Sequence, residues 1–161
     1  MRAFATTALA ALILTACSPS AEAPEAPDAA PALAPVLAGV DLTQPLRVSG
    51  NEPFWAVELT GSEMVYSGVD RPEQRAPQGE PVMQGTMATW ESTTGAGNPL
   101  QVVLTATDCS DGMTSRTYPL TAMVTIGGET LMGCAATVSA TMSTGESGRV
   151  VDAPAAPQPP A

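Results

Sequence analysis

The sequence predicts an all-β domain, a small antiparallel β-barrel or sandwich of about seven to eight strands with one disulfide. Three observations predict it. Short apolar runs alternate with Gly, Asn, Ser and Pro turn signals across residues 41–142. No stretch of that segment keeps a helical apolar period beyond two turns, as an amphipathic helix would. Two cysteines, Cys109 and Cys134, fall inside it.

The strands are expected at 45–48, 55–59, 63–66, 82–90, 100–107, 120–126 and 131–140. Trp55, Val57 and Leu59 alternate with Ala56 and Glu58, the period of a half-buried strand. Residues 101–105 (Gln-Val-Val-Leu-Thr) are rich in types that suit a pleated, half-buried surface. Hairpin turns are expected at Thr60-Gly61-Ser62, Gly95-Ala96-Gly97-Asn98 and Gly127-Gly128. The third of these turns joins the last two strands. Residues 70–81, polar and holding three prolines, read as a long surface loop.

The ends have a different character. Met1-Arg2 precedes a short apolar stretch closed by Leu14-Thr15-Ala16-Cys17. At about 14 residues the stretch is short of the roughly 20 that span a bilayer as a helix, and it reads as an export signal. The tetrad resembles the bacterial lipobox. That resemblance implies cleavage before Cys17, diacylglycerol on its sulfur and a further acyl chain (palmitate) on its amino group. Ser18, rather than Asp, implies the outer membrane over the inner. Residues 17–40 hold five prolines, three acids and no aromatic residue, a composition that cannot bury a core. The organisation expected is a signal peptide over 1–16, an acylated tether over 17–40, a compact domain over 41–142 and a disordered tail over 143–161.

The chain carries 16 acids, six Arg and no His, for a net charge of −10, and none of its basic residues is Lys. That balance excludes the basic footprint of a nucleic-acid binder. It also excludes Ser-His-Asp triads, His-ligated zinc, Schiff bases and the phosphate-loop lysine. Ser and Thr nucleophiles lack a base, and no cofactor signature is present, so a non-enzyme is expected.

With Cys17 committed to lipid, Cys109 and Cys134 read as one disulfide in an oxidising compartment. The rival is a soft-metal site, with copper held by these thiolates and the thioethers of Met113 and Met132. Most other methionines read as packing residues.

Two segments are more marked than the rest. Gly50-Asn51-Glu52-Pro53-Phe54-Trp55 is a turn entering a strand on two aromatics. Gly50 and Asn51 tolerate positive φ there, and adjacent strand residues face opposite ways, so one aromatic is expected to meet solvent or a covering segment. Cys109-Ser110-Asp111-Gly112-Met113-Thr114-Ser115-Arg116-Thr117-Tyr118-Pro119 holds an Asp-Gly turn, with Arg116 and Tyr118 placed to pair with a carboxylate or pack over the disulfide. With Gly133-Cys134-Ala135, these segments resemble a family of small bacterial envelope lipoproteins of unassigned biochemical role. Its members run Gly-Asn-Glu-Pro-Phe-Trp, then Cys-Ser-Asp-Gly-Met-Ser-Asp-Arg-x-Tyr-Pro, then Gly-Cys-Ala. Thr114 and Ser115 depart from that pattern. The resemblance covers about 90 residues and implies an address and a fold, not a reaction. A weaker similarity of type is to membrane-bound inhibitors of c-type lysozyme, whose inserted loop carries a lysine that this chain lacks; Arg116 or Arg71 would have to replace it.

The function expected is a lipid-anchored, periplasm-facing envelope protein acting as a non-catalytic binding or maintenance module. Its partners would be the membrane, through the anchor, and an envelope protein or a basic protein ligand. Lysozyme inhibition and copper binding are the alternatives. The candidate binding surface is Asn51, Glu52, Phe54, Trp55, Arg71, Arg75, Asp111, Arg116 and Tyr118. An exposed aromatic patch near Trp55 or Trp90 would mark a binding module.

Overall fold

A computed structural model describes residues 34–69 and 71–152. The signal peptide, Cys17, most of the tether and residues 153–161 lie outside the described residues, as does Asp70.

Two short strands, β1 (Val36–Leu37) and β2 (Val40–Asp41), form a small hairpin at the start of the domain. Alternating inward residues then build one antiparallel sheet of nine strands. In chain order these are β3 (Leu46–Asn51), β4 (Phe54–Leu59), β5 (Glu63–Gly68), β6 (Gln74–Pro77), β7 (Val82–Gln84), β8 (Met87–Thr93), β9 (Pro99–Thr105), β11 (Leu120–Ile126) and β12 (Glu129–Thr137). Their order across the sheet is β6-β5-β4-β3-β12-β11-β9-β8-β7. Every neighbouring pair is antiparallel. Outside the sheet, β10 (Ser115–Thr117) pairs in parallel with β13 (Ser147–Arg149).

The sheet is a half-barrel curled around its own core, as the predicted all-β class requires. Burial alternates strictly along β9 and β11, and Leu100, Val102, Leu104, Leu120, Val124 and Ile126 point inward with Trp90, Tyr66 and Trp55. Curling brings β6 against the β8–β9 turn. Gly95 N donates to Arg75 O at 2.9 Å, and Asn98 Nδ2 and Thr94 Oγ1 donate to Gln74 Oε1 at 2.7 and 3.2 Å. These bonds satisfy edge groups that an open sheet would leave to water or to another chain.

Several expectations change in detail. Residues 82–90 are two strands, because Gly85, at φ 58°, opens a two-residue turn that pairs Gln84 with Met87. The strand expected over 131–140 ends at Thr137, whose hydroxyl caps the short helix α1 (Val138–Ser143) by accepting from Ala140 N. The loop expected over 70–81 contains edge strand β6, with Ala76 buried opposite Met64. The domain also exceeds 41–142 at both ends. Leu37 and Val40, counted with the tether, are buried in the core. At the other end β13 is paired and Val150 is fully buried, so residues 143–150 are not a disordered tail. Val150 was hidden because it follows a polar stretch with no periodicity, whereas Leu37 and Val40 lie in an apolar run whose Pro, Ala and Gly match the composition of the tether.

A second, smaller core lies on the outer face of β12. Tyr118, Cys134, Ala136, Ala140 and Val150 form it. They come from the 108–119 loop, β12, α1 and the segment after it.

Candidate functional site: a groove beside the disulfide

Inward and outward alternation assigns the two aromatics of the first marked segment. Asn51 pairs with Phe54 at the tip of the β3–β4 hairpin, across a Glu52-Pro53 turn with a cis peptide. Trp55 points inward and is 4% exposed, whereas Phe54 points outward and is 54% exposed. Gly50 and Asn51, which tolerate positive φ, do not adopt it here. Gly50 is required for space instead. A Cβ there would lie 2.5 Å from both Met132 O and Trp55 Nε1. Gly133 answers it from β12, where a Cβ would strike the Ser49 carbonyl and come within 3.0 Å of Trp55 Cζ2. The indole therefore occupies room that two glycines, 83 residues apart in sequence, leave open.

The second marked segment lies over the outer face of β12 and is fastened at several points. Cys109 is bonded to Cys134, with the Cα atoms 5.5 Å apart. Cys109 and Tyr118 exchange backbone hydrogen bonds at 2.9 and 2.8 Å, closing the base of the loop. At the apex, Asp111 O accepts from Asn51 Nδ2 at 2.5 Å, which joins the loop to the hairpin. The Asp111 carboxylate turns inward on its own loop, accepting from Met113 N, Thr114 N and Thr114 Oγ1 at 2.8–3.0 Å and from Tyr118 Oη at 3.5 Å. Burial pushes this carboxyl up, but the Thr114, Met113 and Tyr118 donors together outweigh it and hold it below the ordinary 3.8.

A depressed folded pKa adds stability that is present above the unfolded value and disappears as pH falls through the folded one. Wild type is therefore expected to exceed Asp111→Asn in urea midpoint at pH 6, with the gap closing as pH falls below about 3.8. A gap unchanged from pH 6 to pH 2.5 would contradict this role.

Between hairpin and loop lies a concavity of about 700 Å³. Phe54, Met113 and Met132 border it with the disulfide as its wall, and Glu52 and Asp111 are its charged members. Met113 and Met132 are 65% and 60% exposed. No arginine lines it.

The structure thus brings together four of the nine expected surface residues: Asn51, Glu52, Phe54 and Asp111. Trp55 is a correction, because it is buried beneath the hairpin and cannot meet a partner directly; Trp90, at 1% exposure, is likewise in the core. Tyr118 is a second correction, being buried in the small outer core with its hydroxyl directed at Asp111. Arg116 serves the fold by donating to Gly145 O at 2.7 Å and Thr144 O at 2.9 Å. Arg71 pairs with Glu129 and lies 5.7 Å above the Tyr66 ring, while Arg75 pairs with Glu63 and Glu73 at 3.0 and 2.9 Å. Neither arginine lines the groove.

The chain matches no protein-family model, no curated protein and no solved structure.

Met113 and Met132 were expected only as rival metal ligands, and the structure makes them part of the rim. Their outward direction is readable from alternation with Leu131 in the case of Met132. Their meeting with Phe54 is not, because it depends on β12 lying beside β3.

Proposed function

We propose that this chain is a lipid-anchored envelope protein whose β domain is a non-catalytic binding module, with the groove beside the disulfide as its binding surface. One observation carries the reading: Phe54 is held out in solvent at a hairpin tip that Asn51 fastens to the disulfide-closed loop. Exposing an aromatic ring forgoes about 2 kcal/mol of burial, and fastening its support limits the entropy lost when a partner arrives. The lipobox-like Leu14-Thr15-Ala16-Cys17 supports the anchor, and Ser18 supports the outer membrane. The envelope lipoprotein resemblance points to the same address.

Lysozyme inhibition is the second reading, favoured by the acid-only rim of Glu52 and Asp111. Against it, the two arginines that would replace the inhibitor's lysine are engaged elsewhere, Arg116 by backbone carbonyls and Arg71 by Glu129. Copper binding loses its thiolates to the disulfide.

The test is photocrosslinking in cells from position 54, with position 103 on β9 as control, followed by fractionation. A discrete crosslinked species from 54 alone, in the membrane fraction and shifted to the soluble fraction by Cys17→Ser, is the expected result. Equal labelling from both positions would overturn the binding surface. Membrane retention of the Cys17→Ser form would overturn the anchor.

A further inference from the structure

The arginines of the domain are spent internally. Over residues 34–152 the sequence holds thirteen acids and five arginines. Arg47 pairs with Glu58, Arg71 with Glu129, Arg75 with Glu63 and Glu73, and Arg149 with Asp108. Arg116 donates to the Thr144 and Gly145 carbonyls and lies within electrostatic reach of Tyr118, Asp111 and Glu146. The rim of the groove is different. Glu52, at the exposed hairpin turn, has no ion-pair partner among the described residues, and the donors to Asp111 are the neutral groups of Met113, Thr114 and Tyr118. One unpaired negative charge, that of Glu52, therefore borders a concavity whose other prominent surfaces are Phe54, Met113 and Met132.

Resting on the binding-module reading, we propose that the occupant of this groove is a cationic, apolar polypeptide segment of another protein. A Lys or Arg of that segment lies toward Glu52, and an adjoining apolar side chain packs on Phe54 and the two thioethers. Complementary charge draws such a partner in and sets its register, while the aromatic and methionine surface supplies most of the contact energy. Thioethers are adaptable packing surfaces, which suits a site that reads a residue pattern rather than one rigid shape. An acidic segment meets the unpaired charge of Glu52 here and is disfavoured.

The experiment uses the full chain made soluble by Cys17→Ser and three labelled hexapeptides, (Lys-Leu)3, (Ser-Leu)3 and (Glu-Leu)3, read by fluorescence anisotropy. Only (Lys-Leu)3 is expected to bind measurably. Glu52→Gln should weaken it about five-fold and Phe54→Ser about ten-fold. Glu91→Gln on β8 removes the same charge away from the groove, and is expected to change binding less than about two-fold. Equal losses from Glu52→Gln and Glu91→Gln would reduce the effect to net charge and overturn the proposal, as would failure of (Lys-Leu)3 to bind. If all three peptides bind alike through Phe54, the cationic preference is wrong while the groove stands. If no peptide binds and position 54 yields no crosslink in cells, both readings fall.

Discussion

Trp55→Ala is expected to cost the domain about 4 kcal/mol, in the range for truncating a buried tryptophan. The indole is 4% exposed and sits in the core between β3 and β12. Its loss leaves a void lined by two glycines that have no side chains with which to fill it. Gly133→Ala is expected to be of similar severity for a different reason. Its new Cβ would lie 2.7 Å from the backbone carbonyl carbon of Ser49, and a strand backbone cannot swing aside as a side chain can. The two effects separate in a double variant. Removing the indole relieves the contact of the new methyl group with Trp55 Cζ2 but not the one with Ser49. Gly133→Ala should therefore remain destabilising in a Trp55→Ala background. Urea unfolding followed by circular dichroism measures all three. Full rescue of Gly133→Ala by the tryptophan truncation would show that close strand approach is not what requires glycine there.

Removing the disulfide should have the second large effect. Cys109 and Cys134 are 25 residues apart, and closing a loop of that size is worth about 3.5 kcal/mol in the chain-entropy account. For a domain of this size that corresponds to a melting temperature about 15 °C lower for Cys109→Ser/Cys134→Ser. The same change should loosen the groove before it unfolds the barrel. The strands are held by their own ladders, whereas the 108–119 loop is held by the disulfide, the Cys109–Tyr118 pair and the Asn51–Asp111 bond. Amide exchange in the double variant should accelerate around residues 110–114 and change far less in β9 and β11. A melting temperature within about 3 °C of wild type would remove the disulfide from any account of stability.

The strands with clean alternation were legible because period-2 burial leaves its mark on consecutive residues. β11 coincides with its expected span, Leu120–Ile126, and Gly127-Gly128 is the expected two-residue turn, with φ of 57° and 88°. The elements that escaped are short or depend on distant partners. β6 contributes one buried residue, Ala76, and β13 forms only because Ser115–Thr117 lies alongside it. Val138–Ser143 alternates apolar Val138, Ala140 and Met142 with polar Ser139, Thr141 and Ser143 as a strand would, so only the cap at Thr137 marks where strand becomes helix. The candidate site was half legible for the same reason. Asn51, Glu52, Phe54 and Asp111 were selected by residue type and motif, and the period of Trp55, Val57 and Leu59 marks the inward face, but the motif alone does not separate a buried Trp55 from a surface one. Arg71 and Arg116 looked available because their partners are remote, Glu129 and the Thr144–Gly145 carbonyls, while Arg75 divides between remote Glu63 and nearby Glu73.

By itself the sequence determined the fold class, the disulfide, the acidic balance and the chemistry excluded by the absence of His and Lys. Each of these follows from composition, from local periodicity or from cysteine arithmetic. Only the tertiary structure decided what each marked segment meets. β12 lies beside β3, so Gly133 and Gly50 together make room for Trp55, and Met132 borders the same groove as Phe54 and Asp111. Strand pairing between residues some 85 positions apart is a cooperative property of the whole sheet, and no local pattern carries it.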